Sequence, residues 1–459
     1  MESADDRAII EAGYKPQLKR SLGMFASFAV PFSVISITTG IFANYGFVLE
    51  KAGPFGFWTW LLVSVGRIAI ALIVAEMAGR IPLTGSVYNW ANRLINPATG
   101  FMAGWLVISN MTIGAAAVTT VMLPILGVIT GHDITGLTGS CIASGFLILQ
   151  LLINLYGVRL TSHTNVVAVV AEIVSIVVLS CLVVAAVLNK GHFHTELLTT
   201  IPAEPRPYWP GFLMCSLLGA WTMIGFESSA DISEETVNAK RVAPKGVISS
   251  VLASIVIGFA FIVVMTLAIP DLASIGKAAY PLAAISSYYL GDVATKIFLL
   301  FSLVAIFSCS LVCITSGSRV MFAMARDGRF IAPGLFGKVS SHHVPRNALL
   351  LITAFCILFV FLSDSITALS GSATVCASTY YLITVAGFAL KGKGLPKTDT
   401  FSLGRWHWPV AILAIGWLIV EIGILTIPEE FHSVAAATVG VLIVGAVLYA
   451  LVGRKKVGA

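Results

Sequence analysis

Six ionisable residues stand inside stretches of chain that are otherwise apolar: Arg67, Glu76, Glu172, Glu227, Asp231 and Glu421. A charge at the centre of a bilayer costs about 2.5–3.5 kcal/mol on insertion scales, so each is a functional candidate by default. A carboxyl at that depth can carry a proton, ligate a cation or meet the amine of a solute. A guanidinium can neutralise such an acid or hold an anion. Glu172, in "VAVVAEIVSIVV", and Glu227, in "GFESSADISEET", are the candidates for coupling. A helix-tying salt bridge with Arg67 is the structural alternative for Glu172, and a helix cap the alternative for Glu227. Glu76 and Asp231, near the ends of their runs, suit loop support or a gate. Glu421 is expected to be peripheral.

Small polar residues in the same runs suggest a second chemistry. "ISITTGIFANYG", Ile35 to Gly46, places Ser36, Thr38, Thr39 and Gly40 in the middle of an apolar stretch. "GAWTMIGFESSADISEET", Gly219 to Thr236, repeats the device, with "MIGFE" against "TTGIF". Every backbone N–H and C=O in hydrocarbon needs a partner, so a broken helix survives only where protein buries it or it lines a cavity. The second half of such a helix offers free N–H groups and a positive dipole end to an anion. The first half offers carbonyls to an ammonium group or a cation. On this reading Thr38, Thr39, Gly40 and Ile41 hold the carboxylate of a solute, with Gly40 keeping side-chain bulk away. Close helix packing is the other explanation of the polar run alone; the matching second break favours a binding site.

The elements that position these residues follow from composition. The chain has 459 residues, 57% hydrophobic and 11% charged, with mean hydropathy +0.93, against about 25% charged in soluble domains. Runs long enough to cross a ~30 Å hydrocarbon core fall at about 22–49, 57–79, 97–129, 137–158, 164–188, 211–235, 246–269, 294–325, 347–363, 366–390, 408–427 and 433–452. They predict an all-α polytopic membrane protein with twelve transmembrane helices. The broken runs are the first and the sixth. That spacing predicts a 5+5 inverted repeat, 22–188 and 211–390, followed by two extra helices over 408–452. Polar ends occupy 1–21 and 453–459.

With the N-terminus placed inside, only five of the 28 Lys and Arg fall in outer loops, and Arg67 in a span. The rest form an inner flank, which predicts a plasma (inner) membrane protein with both termini cytoplasmic. The net charge of +6 is therefore that flank and not a nucleic-acid footprint. The start before Leu22 lacks the apolar core of a cleaved signal peptide. All seven cysteines lie in apolar runs, so no disulfide framework is expected. Trp58 and Trp60 suit an interfacial belt.

Four stretches, "YKPQLKRSLGMFASFAVPFSVISITTGIF", "GRIPLTGSVYNWANRL", "GFESSADISEET" and "SRVMFAMARDGRF", resemble in this order the amino acid–polyamine–organocation permeases, and most of all their amino acid/choline branch. The resemblance implies a secondary transporter with ten core helices in two inverted repeats and two more at the end. It implies that the break of helix 1, here Thr38 to Ile41, binds a substrate carboxylate. It also implies that helix 6 supplies an aromatic gate and amine-facing carbonyls, here at Trp221, Thr222, Gly225 and Phe226. Glu227 matches an acid that several members carry after the helix 6 glycine. Some members present a lysine from helix 5 to the break in place of a sodium ion. Glu172 falls there with the opposite sign, and Arg67 falls where branch relatives carry an uncharged polar residue. Span 3, which walls the site in this fold, adds Asn110 and Thr112. Span 8 adds Ser308 and Ser310, hydroxyls that can help hold a cation.

Substrates of the branch are amino acids, GABA, choline and polyamines. Proton-coupled symport by alternating access is expected, with Glu172 or Glu227 titrating; sodium coupling and exchange are the alternatives. No cofactor is implied. A membrane enzyme is disfavoured because there is no HExxH, and no glycine–lysine pair is followed by Ser or Thr to make a P-loop. A channel is disfavoured because ring-like filters are usually built by symmetric subunits.

Overall fold

The computed structural model describes residues 9–10, 13–190, 193–202, 207–278, 280–363, 365–395 and 400–453. Of the polar ends read from the sequence, 1–8, 11–12 and 454–459 lie outside them. Among the described residues there is no strand, only one isolated parallel bridge between Leu22 and Thr236. The helices are α1 Met24–Ile35, α2 Ile37–Ala52, α3 Thr59–Arg80, α4 Ser86–Leu94, α5 Pro97–Thr130, α6 Gly136–Leu155, α7 Val158–Lys190, α8 Tyr208–Met214, α9 Ser216–Thr222 and α10 Ser228–Asp231. They continue as α11 Ala239–Leu267, α12 Pro281–Arg326, α13 Arg346–Leu362, α14 Ile366–Lys391, α15 His407–Ile424 and α16 His432–Leu448.

Among the described residues ten helical segments are long and apolar enough to cross a membrane, and α13 is a shorter apolar helix. The chain is an integral, multi-pass membrane protein. Two of the predicted spans differ from single rods. The first is α1 and α2 with a break at Ser36. The sixth is the succession α8, α9 and α10, with its irregular stretch at Met223–Glu227. The eighth also begins earlier than the predicted 294: α12 starts at Pro281 and turns a corner at Gly291, whose φ of 77° suits glycine. The residues before that corner form a helix of their own.

Burial separates the inner helices from the outer ones. The apolar window of Met24–Ala52 is 78% buried, that of α14 with the residues after it 72% and that of α5 67%, against 22% for α6 and 17% for Glu429–Val452. The well-buried segments are also those that carry Ser36, Thr38, Thr39, Asn110 and Ser378. Polar side chains at membrane depth persist where protein surrounds them. Trp60, expected at an interface, is instead fully buried. Its Nε1 donates to the Ile255 carbonyl at 3.1 Å and ties α3 to α11, because an indole N–H in the core needs an acceptor.

Candidate functional site

Ser36 makes the first break. Its φ of 32° and ψ of 89° are left-handed, a costly conformation for a residue with a Cβ. Its hydroxyl accepts the Thr39 N–H at 3.4 Å and lies 2.6 Å from Thr39 Oγ1, so Ser36 caps α2. The break therefore precedes the predicted Thr38–Ile41 stretch, which forms the first turn of α2. Gly40 N–H is spent on the Ser36 carbonyl at 3.0 Å, and Ile41 is buried in the core. A carboxyl group already sits on the free end. Glu172 of α7 accepts the Thr38 N–H at 3.0 Å and the Ser36 hydroxyl at 3.2 Å with one oxygen, Oε1. Glu172 thus meets the break and not Arg67.

The second break centres on Gly225. Its φ is 80°, and a Cβ there would fall on Val34, so both conformation and space demand glycine. The Gly225 N–H donates to the Tyr381 hydroxyl at 3.1 Å. Tyr381 in turn donates to Glu227, and Tyr380 donates to the other oxygen of that carboxylate at 2.5 Å. Phe226 stacks on the Tyr381 ring at 4.9 Å and 4°. Glu227 and Phe226 therefore face α14, and neither lines the cavity described next. The two tyrosines were missed in the sequence, where the only signal is the adjacent pair "YY" inside an apolar run.

A small cavity lies between the breaks, lined by Thr39, Gly40, Asn110, Trp221, Thr222 and Ile224 among others. It has room for about one water, roughly 20 Å³. Asn110 lines it while donating its amide to the Ala373 carbonyl of α14 at 2.8 Å. Thr112 bonds back to its own helix at Ile108. Gly40 and Thr222 interlock: a Cβ on Gly40 would collide with the Thr222 side chain, whose hydroxyl is satisfied by the Leu218 carbonyl at 2.5 Å. The glycine makes room for a neighbouring helix. Gly40→Ala is expected to cut transport at least tenfold, and Gly40→Ala with Thr222→Ala to recover part of it, read as initial uptake rates of variants matched for membrane abundance. Normal uptake by Gly40→Ala alone would refute the interlock.

The two span 8 hydroxyls part company. Ser308 donates to Asn165 Oδ1 at 2.9 Å and accepts from Ser33 at 3.4 Å, on the α1 side. Ser310 bonds Gln150 Oε1 at 3.0 Å and the Ala115 carbonyl at 3.2 Å, so it ties α12 to α5 and α6. Residues two apart on a helix face different neighbours, and the cation role read for Ser310 is not supported by its surroundings.

Arg67 finds Glu421. Its Nη2 lies 2.7 Å from Glu421 Oε1, both side chains fully buried, and donates to the Ala220 carbonyl at 2.8 Å. Ser378 and Trp417 donate to the same carboxylate at 2.5 and 2.8 Å. Glu421 is thus central, not peripheral: it joins α15 to α14 and, through Arg67, to the end of α9. Glu76 accepts from Arg80, from Ser402 at 3.1 Å and from the Leu403 N–H at 2.8 Å, which anchors the loop before α15.

At the end of the bundle that carries Tyr14 and Arg20, ion pairs and hydrogen bonds tie the elements together. Asp231 accepts from Ser86 at 2.6 Å, Glu235 pairs with Arg319 at 3.1 Å, and Glu234 with Arg326 at 2.9 Å. Tyr14 and Tyr88 both donate to Asp327, at 3.1 and 2.7 Å. Arg20 donates to the Thr236 carbonyl at 2.8 Å. The segment before α1 is therefore stitched to the segment after α10.

Two broken helices flanking a cavity, among helices long and apolar enough to cross a membrane, fit a membrane carrier. Residues 22–449 match the family model described as amino acid permease. The chain belongs to that family, of the amino acid–polyamine–organocation superfamily, and is a transporter rather than an enzyme. It is similar to the amino-acid permease BAT1 of Arabidopsis thaliana, 27% identical over 93% of this chain and 89% of that protein. The BAT1 homolog of Oryza sativa subsp. japonica is 26% identical over 92% and 87%. The branched-chain amino acid permease BcaP of Bacillus subtilis is 26% identical over 99% and 97%.

Proposed function

We propose that this permease is a proton-coupled symporter for an amino acid or a related small amine, working by alternating access with Glu172 as the coupling residue. The observation that carries the reading is the Glu172 carboxylate on the N-terminus of α2, hydrogen-bonded to Thr38 N–H and Ser36. A half-helix N-terminus attracts anions, but the amides of Thr38, Thr39 and Gly40 are already engaged by Glu172, the Ser36 hydroxyl and the Ser36 carbonyl, so a solute carboxylate arriving there competes with Glu172 for the dipole end. Neutralising Glu172 with a proton removes the repulsion, so proton and solute bind together. In this scheme Trp221 gates the cavity it lines, and Asn110 and the carbonyls at the end of α9 receive an amine. Glu227, held by Tyr380 and Tyr381, stabilises the second break in this scheme.

In the same reading the chain crosses the plasma (inner) membrane twelve times, with α8–α10 and α13 as the crossings beyond the ten long helices. The repeats span 22–188 and 211–390, and both termini are cytoplasmic, where the inner flank of Lys and Arg belongs. The test is uptake of radiolabelled amino acids into proteoliposomes in sodium-free buffer, with and without an inward proton gradient. The gradient is expected to drive accumulation above equilibrium. Uptake that ignores it and needs external sodium, or a preloaded lumen, would replace proton symport by sodium symport or exchange.

A further inference from the structure

The cavity has a polar end and an apolar wall; it now has room for about one water, so what its lining gives is the chemistry a solute would meet once the site widens. At the polar end the N-terminus of α2 and the C-terminus of α9 touch, since Gly40 packs directly on Thr222. Half-helix ends of opposite sign in contact suit a solute whose carboxylate and ammonium are one carbon apart. They do not suit one that separates the two by a chain. Beyond that end the lining runs over Met111, Gly114, Val118, Ile224 and Cys313, and no acidic or basic side chain lines the cavity. Glu172 is engaged with Ser36 and Thr38, and Glu227 with two tyrosines. A second charge on the solute would be buried without a partner. A quaternary ammonium is recognised by several aromatic faces, and Trp221 is the one aromatic residue in this lining.

We propose that the substrate is a neutral α-amino acid with an apolar side chain, and that Gly114 sets how long that side chain can be. The proposal rests on the transport reading above and narrows it. Gly114 differs from the structural glycines of the two breaks. A Cβ on Gly40 or Gly225 collides with a neighbour, whereas a Cβ on Gly114 meets only Ala373 Cβ, at 3.9 Å, an ordinary contact. Its hydrogen serves no packing need, and a methyl there fits the helix while taking space from the cavity. Alanine is also the better helix former, so Gly114→Ala is not a folding hazard. Val118, one turn further along α5, is the complementary position, where truncation enlarges the same wall.

The experiment is competition against a transported radiolabelled amino acid in proteoliposomes, followed by uptake of leucine and alanine by Gly114→Ala and Val118→Ala. Valine, leucine and methionine are expected to compete, and arginine, glutamate, GABA, choline and putrescine to fail. Gly114→Ala is expected to lower the leucine-to-alanine uptake ratio about tenfold, the discrimination a methyl group can supply, and Val118→Ala to raise it. Ratios that move together, or not at all, overturn the role of Gly114, since general damage does not give opposite signs. Strong competition by arginine, choline or putrescine overturns the substrate class while leaving the transporter intact. Failure of every solute, with and without ion gradients, removes the transport reading and this proposal with it.

Discussion

Glu421→Gln and Arg67→Met, each alone, are expected to lower the thermal midpoint of the detergent-solubilised protein sharply, and Arg67→Met with Glu421→Met to restore most of the loss. Breaking a buried ion pair by removing one partner costs about 3–5 kcal/mol, because the other charge is left uncompensated, while replacing both with apolar groups is often neutral. The pair here is of that kind. Both side chains are fully buried at 2.7 Å, and Arg67 Nε and Nη1 have no hydrogen-bond partner of their own. Among the described residues Glu421 is the one carboxylate bonded to this guanidinium, and the Ala220 carbonyl, the Tyr381 ring face, 5.8 Å away, and the longer-range charge of Glu227 add to the attraction. Losing Glu421 also leaves the Trp417 indole N–H without its acceptor, a smaller loss that the double variant does not repair, while the Ser378 hydroxyl keeps the Thr374 carbonyl.

The double variant separates stability from mechanism. If the pair serves only to hold helices, the apolar replacement recovers both midpoint and uptake. Arg67 also grips the last turn of α9 through Ala220, so the expected result is a recovered midpoint with impaired transport. A single variant as stable as the wild-type protein would show that the charges are compensated by something other than each other.

Charges and breaks were legible in the sequence; their partners were not. Arg67, Glu172, Glu227 and Glu421 stand out against apolar surroundings, and the tandem "TTGIF" and "MIGFE" announce two interrupted helices. What a membrane sequence withholds is which face of a helix looks where. Lipid and protein core are both apolar, so a transmembrane helix carries little of the amphipathic signal that orients a helix in water. Glu421 therefore looked peripheral although it is fully buried, Trp60 looked interfacial, and Ser310 was placed with Ser308 although their partners lie on different helices. The break itself was read two residues late. Gly40 stands out in the sequence as the residue that keeps side-chain bulk away, whereas it is a serine that takes the left-handed conformation, because its hydroxyl caps the helix that follows. The Tyr380–Glu227–Tyr381 cluster depends on contact between elements over 150 residues apart, for which the chain carries no local cue.

Glu172→Gln is expected to leave a carrier that exchanges but no longer concentrates its substrate. Glutamine keeps an oxygen for the Thr38 N–H and the Ser36 hydroxyl, so the start of α2 retains its partner. What it loses is the charge and the capacity to take a proton. In the wild-type protein a solute carboxylate at Thr39 and Gly40 would approach an ionised Glu172, taken at about 5 Å for the Coulomb energy. Two like charges at that distance repel by roughly 3 kcal/mol at an effective dielectric near 20, more than a hundredfold in affinity. Protonating Glu172 removes the penalty, and by reciprocity a bound solute favours the proton. In the range where Glu172 ionises, solute affinity is expected to fall about tenfold for each unit of pH increase, the slope of one obligatory proton. In Glu172→Gln it stays flat, at the high-affinity level. Counterflow from preloaded liposomes persists in the variant because the cavity is intact, while gradient-driven accumulation disappears because nothing in the binding step consumes a proton. Glu227→Gln is the control from the other break: its carboxylate is held by two phenols away from the cavity, so the variant is expected to retain the pH slope. If Glu172→Gln kept that slope and Glu227→Gln lost it, the coupling proton would belong to the second break and Glu172 would be only the cap of the first.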